Sequence, residues 1–274
     1  MIRVAGNRGG FYPDSCAEVE EMIAEFNEML VDTLQEPTLL SKRPRAIIVP
    51  HAGYIYSGFT ANIAHRMLGN REPKRVIVIG PSHHVYFRGI SGSMLERYET
   101  PCGYLPIDRA YLETLSVQHP ILFVPEAHQK EHSTETQMPF VKHYLPNAKV
   151  IELIYGADTE YRIVASLIDE VLRDPANAVV ISSDLSHFYT QKEAQKLDKV
   201  CLSGVVQKDI EILDHGCEAC GIIGIKAMIE VARKQEFQVK LLDYRTSADI
   251  SGDRERVVGY MSAAFYPEVI YNVG

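Results

Sequence analysis

Tryptophan is absent from this chain of 274 residues, and the chain has neither a long apolar segment nor a block of basic residues. No apolar run reaches the roughly 18 residues that a membrane-spanning helix needs, and the amino terminus lacks the apolar core of a signal peptide. The net charge is −8, so electrostatics would oppose binding to nucleic acid. These absences predict a cytoplasmic protein that binds neither membranes nor nucleic acids.

Cysteine is scarce, and common catalytic motifs are missing. The five cysteines are odd in number and widely spaced, which argues against a disulfide framework and predicts reduced thiols. They are Cys16, Cys102, Cys201, Cys217 and Cys220. There is no Walker motif, no GxGxxG after a strand and no GxSxG elbow, which leaves nucleotide binding and ordinary serine hydrolysis without support.

Three short apolar segments each lead into a histidine. Residues 75–79 precede His83, residues 46–49 precede His51, and residues 178–181 precede His187. Consecutive β-branched and apolar residues are typical of strands buried on both faces. In open parallel sheets, ligands bind where loops leave the carboxyl ends of such strands. The three segments therefore predict one shared site.

The remaining chain alternates helical and strand patterns. A capping box at residues 15–18 predicts the start of an amphipathic helix. Later apolar segments have the periodicity of helices or of strands, and no linker rich in Pro, Gly or Ser separates them. We predict a single domain over residues 1–274, with an α/β fold whose doubly wound, mostly parallel sheet is flanked by helices. The polar residues 126–135 form either a solvated connection or a wall of the site.

His51 and His83 are the first candidates for metal binding. Neutral imidazole is the commonest protein ligand for divalent first-row metals, and the two residues are predicted to lie on adjacent strand exits. The alternative is that each histidine only hydrogen-bonds a loop carbonyl. His84 is predicted to have a different role from His83, because neighbouring side chains in extended chain point apart.

Asp184, His187 and Cys220 are the other candidates. Asp184 is either a helix N-cap or a functional carboxylate, and one turn of chain would bring His187 to the same side as a general acid or base. Cys220 precedes a predicted helix whose amino terminus would lower the thiol pKa and favour a third metal ligand. Burial as a small apolar residue is the alternative, more so for Cys217.

Five segments together closely resemble the MEMO family, whose prokaryotic members are often described as AmmeMemoRadiSam system protein B. They are residues 50–54, 80–84, 131–133, 182–187 and 220–221. The resemblance implies a fold similar to that of class III extradiol dioxygenases of the LigB type. It also implies a metal held by His51, His83 and Cys220, with Asp184 and His187 lining the pocket.

The resemblance further implies that the metal is iron, with copper as an alternative, and that His132 stands near it as a substrate-handling residue. The soft thiolate of Cys220 makes zinc a further alternative. The dioxygenases have a carboxylate where this chain has Cys220, so ring cleavage is not carried over. The expectation is a metal-dependent oxidoreductase or dioxygenase-like enzyme with a small-molecule or peptide ligand. Two alternatives stay open: a non-catalytic metal- or peptide-binding module, and a metal-assisted hydrolase.

Overall fold

A computed structural model describes residues 1–33 and 37–267. Eleven α-helices lie in these ranges: α1 (Cys16–Thr33), α2 (Phe59–Gly69), α3 (Arg109–Gln118), α4 (Pro125–Gln129), α5 (His132–Glu135), α6 (Met138–Tyr144), α7 (Tyr161–Arg173), α8 (Gln191–Gln207), α9 (Ile210–Asp214), α10 (Ile222–Lys234) and α11 (Ala248–Ser251). A 3-10 helix spans Pro37–Ser41 and a π-helical turn spans Tyr54–Gly58.

Twelve strands lie in the same ranges: β1 (Ile2–Arg3), β2 (Ala46–Val49), β3 (Arg75–Pro81), β4 (Ile90–Gly92), β5 (Arg97–Thr100), β6 (Gly103–Pro106), β7 (Ile121–Leu122), β8 (Lys149–Tyr155), β9 (Asn177–Ser182), β10 (His187–Tyr189), β11 (Phe237–Thr246) and β12 (Val257–Pro267). Three of them, in the order β1-β5-β6, form a small sheet. The other nine form the main sheet.

The main sheet has a parallel centre. Its order is β10-β12-β2-β9-β3-β8-β4-β7, with β11 also paired to β12. The central strands β2, β9, β3 and β8 are parallel to one another, whereas β12 and β4 join them antiparallel on either side. The predicted large, mostly parallel sheet is therefore confirmed, with antiparallel pairs toward its edges.

Both faces of the central strands are buried, as the uninterrupted apolar segments predict. In β3, Ile77 and Ile79 pack into one apolar core while Val76 and Val78 pack into the other. Residues of α7 and α10 cover the first face, and residues of α1, α2 and α6 cover the second. This arrangement confirms an α/β fold in which helices flank the sheet.

Most predicted elements are present, including the capping box. The Ser15 hydroxyl donates to Glu18 Oε2 at 2.7 Å, and Glu18 N donates back to Ser15 Oγ at 3.3 Å.

The predicted order of the strands is wrong at one point: β9 lies between β2 and β3, so His51 and His83 do not leave adjacent strands. No helix in the described ranges is both long and apolar enough to cross a bilayer.

The prediction of reduced thiols is also wrong in this structure. Cys16 is joined to Cys102 and Cys201 to Cys217, while Cys220 is free. The Cα atoms of the two pairs lie 4.6 Å and 4.8 Å apart, across 86 and 16 residues of sequence. Sequence spacing is a poor guide here because the fold, not the chain distance, decides which cysteines meet.

Candidate metal centre

Two strand ends and one helix start bring His51, His83 and Cys220 together. His51 lies two residues beyond β2, His83 two residues beyond β3, and Cys220 two residues before α10. One potential ligand atom from each lies within 4.8 Å of the others. Because the strand ends are fixed by the sheet, the three side chains are held by the rigid part of the fold.

Each imidazole is oriented by a hydrogen bond at Nδ1. His51 Nδ1 lies 3.0 Å from Ser182 Oγ, and His83 Nδ1 lies 2.8 Å from Glu131 Oε1. These bonds leave Nε2 of each ring for another partner, and His51 Nε2 is 3.3 Å from Cys220 Sγ. Metal-binding histidines are characteristically held in this way through their second ring nitrogen.

Cys220 is held by two hydrogen bonds to the backbone of Asp184, in the loop that follows β9. Asp184 N donates to Cys220 Sγ at 3.3 Å, and Cys220 N donates to Asp184 O at 3.2 Å. Burial raises the pKa of the Cys220 thiol, and the Asp184 carboxylate raises it further. The predicted lowering of this pKa is therefore wrong, because desolvation outweighs the start of α10.

Gly221 allows the close approach of the Cys220 segment to β9. A Cβ atom there would lie 2.5 Å from Ser183 Cβ and 2.8 Å from the backbone oxygen of Ser182. Gly221→Ala is therefore expected to destabilise the fold by about 1–3 kcal/mol and to weaken metal binding by displacing Cys220. Chemical denaturation and metal titration measure the two effects. Gly10→Ala, whose nearest contact would be an ordinary 3.5 Å, should change neither.

Asp184 is a buried carboxylate beside the three candidate ligands. His51 N donates to Asp184 Oδ1 at 2.8 Å, and Asp184 Oδ2 lies 3.9 Å from His51 Nε2. Burial raises the pKa of Asp184 to about 6, against the lowering effects of hydrogen bonds and nearby histidines. No helix begins at Asp184, since β10 follows, so the N-cap alternative is wrong.

His132 lies at the centre of the histidine cluster. Its ring is 4.5 Å from the His83 ring, 5.4 Å from the His51 ring and stacked 4.5 Å from Phe11. Burial, followed by the nearby His83, lowers the pKa of His132 to about 4. A neutral imidazole that is a poor base in the free protein thus faces the candidate ligands.

The polar residues 126–135 divide between the two predicted alternatives: residues 131–135 form an inner wall of the site, whereas most of residues 126–130 are exposed as in a solvated connection. Glu131, Ser133, Thr134 and Glu135 are fully buried. Glu131 Oε2 accepts from His83 N at 2.6 Å, so this carboxylate holds both the backbone and the ring of His83. Glu131 and Ser182 support the two imidazole rings, and the sequence alone did not identify them in that role. Neither residue lies at a spacing from His51 or His83 that is typical of metal-binding motifs.

His187 and His84 lie farther out. His187 is half-buried at the start of β10, close enough for its charge to influence both His51 and Asp184. Phe188 beside it has φ of 66°, a conformation that is uncommon outside glycine and often found near functional sites. His84 is exposed, with its ring 5.7 Å from that of His132. The predicted difference between His83 and His84 agrees with these positions.

The donor set fits a transition metal. Two imidazole nitrogens and one sulfur suit iron, copper or zinc, whereas magnesium and calcium prefer oxygen. His51 is buried, Cys220 is half-buried and His83 is exposed, so one side of the cluster is open. Three ligands with an open side are typical of catalytic rather than structural metal sites.

The fold and the site describe an α/β protein with a candidate metal centre at the carboxyl ends of its parallel strands. Residues 3–264 match the family model described as Memo-like protein. The chain belongs to the Memo-like protein family.

Curated relatives support the family assignment, and a solved structure supports the fold. A MEMO1 family protein of Aquifex aeolicus is 31% identical over 96% of this chain and 99% of its own length. One from Nitrosopumilus maritimus is 28% identical over 97% of this chain and 100% of its own length. The crystal structure of an uncharacterised Escherichia coli K12 protein matches with a TM-score of 0.52 and 14% identity, covering 81% of this chain and 100% of that one. This last match concerns the fold alone, and the likeness to class III extradiol dioxygenases stays a prediction.

Proposed function

We propose that this chain is a non-haem metal-dependent oxidoreductase with a mononuclear centre held by His51, His83 and Cys220. The observation that carries the proposal is the convergence of these three ligands, with the Nδ1 atom of each imidazole already hydrogen-bonded. Iron is the proposed metal. Copper and zinc are the alternatives, because a thiolate is a softer ligand than a carboxylate.

When bound, the metal would supply a redox-active Lewis acid with coordination positions on the open side of the site. The protein's own residues would control position and protons. Ser182 and Glu131 would fix the two imidazole rings, and Asp184 would hold the loop after β2 through His51 N.

Two residues would move protons. Asp184, with a pKa raised to about 6 by burial, is poised to accept a proton near neutral pH. His132 is neutral in the free chain and stands 4.5 Å from the His83 ring. It would bind a polar group of the substrate, accept a proton from it when an anionic substrate nearby stabilises the imidazolium, and return that proton to the product.

The substrate would enter along an aromatic groove of about 340 Å³ next to the centre. Phe11, Tyr12, Tyr54 and Tyr56 line this groove. Phe11 connects it to the centre, because its ring stacks on His132. Such walls suit a small molecule or peptide side chain with a flat apolar part.

Metal analysis followed by oxygen exposure tests the proposal. We expect near-stoichiometric iron or copper in protein purified without chelators, and a change in the visible spectrum when the anaerobic, reduced protein meets O₂. His132→Gln should keep the metal but slow any substrate-dependent O₂ uptake by about 100-fold or more, as loss of a proton-transfer group does. Folded protein that binds neither metal on titration would refute the proposal.

Metal-assisted hydrolysis is the second candidate, and the raised pKa of Asp184 supports it. A buried carboxylate of this kind could take a proton from an attacking water. Activity on ester or amide substrates that is equal with and without O₂, and is lost in Asp184→Asn, would favour hydrolysis over oxidation.

A further inference from the structure

A second set of metal-binding side chains lies away from the candidate centre, around the Cys16–Cys102 disulfide. Cys16 is the first residue of α1, and Cys102 lies in the turn between β5 and β6. Glu20 is one helical turn after Cys16 and therefore on the same face of α1. One potential ligand atom from each of the three residues lies within 4.8 Å of the others.

Glu20 is fixed between the disulfide and a histidine. Its Oε1 lies 3.7 Å from Cys102 Sγ, and its Oε2 lies 2.7 Å from His143 Nδ1. Carboxylates that bind metals are themselves usually held by a hydrogen bond, as Glu20 is here by His143. Both cysteines are half-buried, so a reductant and a metal ion can reach them from solvent.

The other disulfide has a different environment. Cys201 is fully buried in the apolar core that α7 and α10 cover, and Cys217 packs against the same core. Among the described residues, the groups that could hold a metal do not include this pair. Within residues 1–33 and 37–267, the Cys16–Cys102 pair is therefore the one that combines two sulfurs with a carboxylate.

We propose that Cys16, Cys102 and Glu20 form a second metal site, for Zn²⁺, when their disulfide is reduced. A dithiol reductant would give two electrons and two protons to the disulfide, leaving two thiols and the oxidised reductant. Zinc binding would then release the two thiol protons to water. Sulfur, sulfur and oxygen are ordinary zinc ligands, and two sulfurs on one tetrahedral zinc lie about 3.8 Å apart, given Zn–S bonds of about 2.3 Å.

The site would keep one cross-link in both redox states. In oxidising surroundings the disulfide ties α1 to the β5–β6 turn, and in reducing surroundings zinc would tie the same two elements. The start of α1 follows the segment whose Phe11 ring stacks on His132. The cross-link therefore also holds the chain that leads into the wall of the candidate centre.

Zinc titration of the full chain tests this inference. The His83→Ala/Cys220→Ser double variant serves as the background, so that zinc bound at the first centre does not interfere. We expect calorimetry to detect about one zinc per chain after reduction with a phosphine and none before it. Adding Glu20→Gln should weaken binding by more than about 10-fold while leaving both thiols in place.

Cobalt(II) provides a second readout, because thiolate ligation gives an intense near-ultraviolet charge-transfer band. The band should appear in the reduced background and vanish in Cys16→Ser. It should persist when Cys201 and Cys217 are both replaced by serine. Absence of zinc binding after reduction, or equal binding with and without Glu20→Gln, would overturn the inference.

Discussion

Serine in place of Cys220 is expected to remove most of the metal from the candidate centre without unfolding the chain. The hydroxyl of serine does not ionise near neutral pH and is a harder ligand than a thiolate. The loss in affinity should exceed the roughly 10–100-fold that removal of a supporting residue costs. Cys220 takes part in no disulfide, so the cross-links of the fold remain. Elemental analysis and metal titration measure the effect.

Glu131→Gln is the graded control for this experiment. The amide keeps the size of the side chain but removes the charge that His83 Nδ1 faces at 2.8 Å. Affinity should fall by about 10–100-fold, less than in Cys220→Ser. Full metal content in both variants would show that the three converging side chains do not bind the metal.

The sequence predicted the parts of the site that depend on strand ends. Uninterrupted apolar residues such as those of β3 indicate burial on both faces, and the polar residue that follows such a strand must lie at its carboxyl end. His51 and His83 could be selected on that basis. Their relative position could not, because the insertion of β9 between β2 and β3 is a property of topology rather than of either segment.

The residues that support the two imidazole rings, and the disulfides, could not be predicted from the sequence for a related reason. Glu131 matters because α5 and the end of β3 meet, and Cys16 pairs with Cys102 because α1 crosses the β5–β6 turn. Contacts of this kind join residues 48 and 86 positions apart. No local pattern encodes them, whereas the capping box at residues 15–18, which is local, was predicted correctly.

Arg3→Met is expected to cause the largest loss of stability among single substitutions in the amino-terminal segment. Arg3 lies 3.0 Å from Glu135 and 3.8 Å from Glu152, and all three side chains are buried. Among the described residues, Arg3 is the cation that pairs with both carboxylates. Its loss would leave the two buried charges to uncharged hydrogen-bond donors and, at Glu152, to a histidine, at a cost of about 3–5 kcal/mol. Denaturation in urea measures the change. Arg97→Met on neighbouring β5, where the side chain is exposed, should stay within about 0.5 kcal/mol of the parent.

The pH dependence of this loss distinguishes charge from packing. Burial acts to raise the pKa of Glu152, but Arg3 and His128 outweigh it and lower the pKa below 4.5. A carboxyl whose pKa is lowered on folding adds stability above its unfolded pKa, and that stability is lost as the pH falls through 4.5 toward the folded value. Without Arg3 the pKa of Glu152 is lowered less on folding, so a fall in pH removes less stability from the variant than from the parent. The gap between parent and Arg3→Met should therefore be widest near pH 7 and narrow below pH 4.5, and a gap that is constant with pH would instead indicate lost packing.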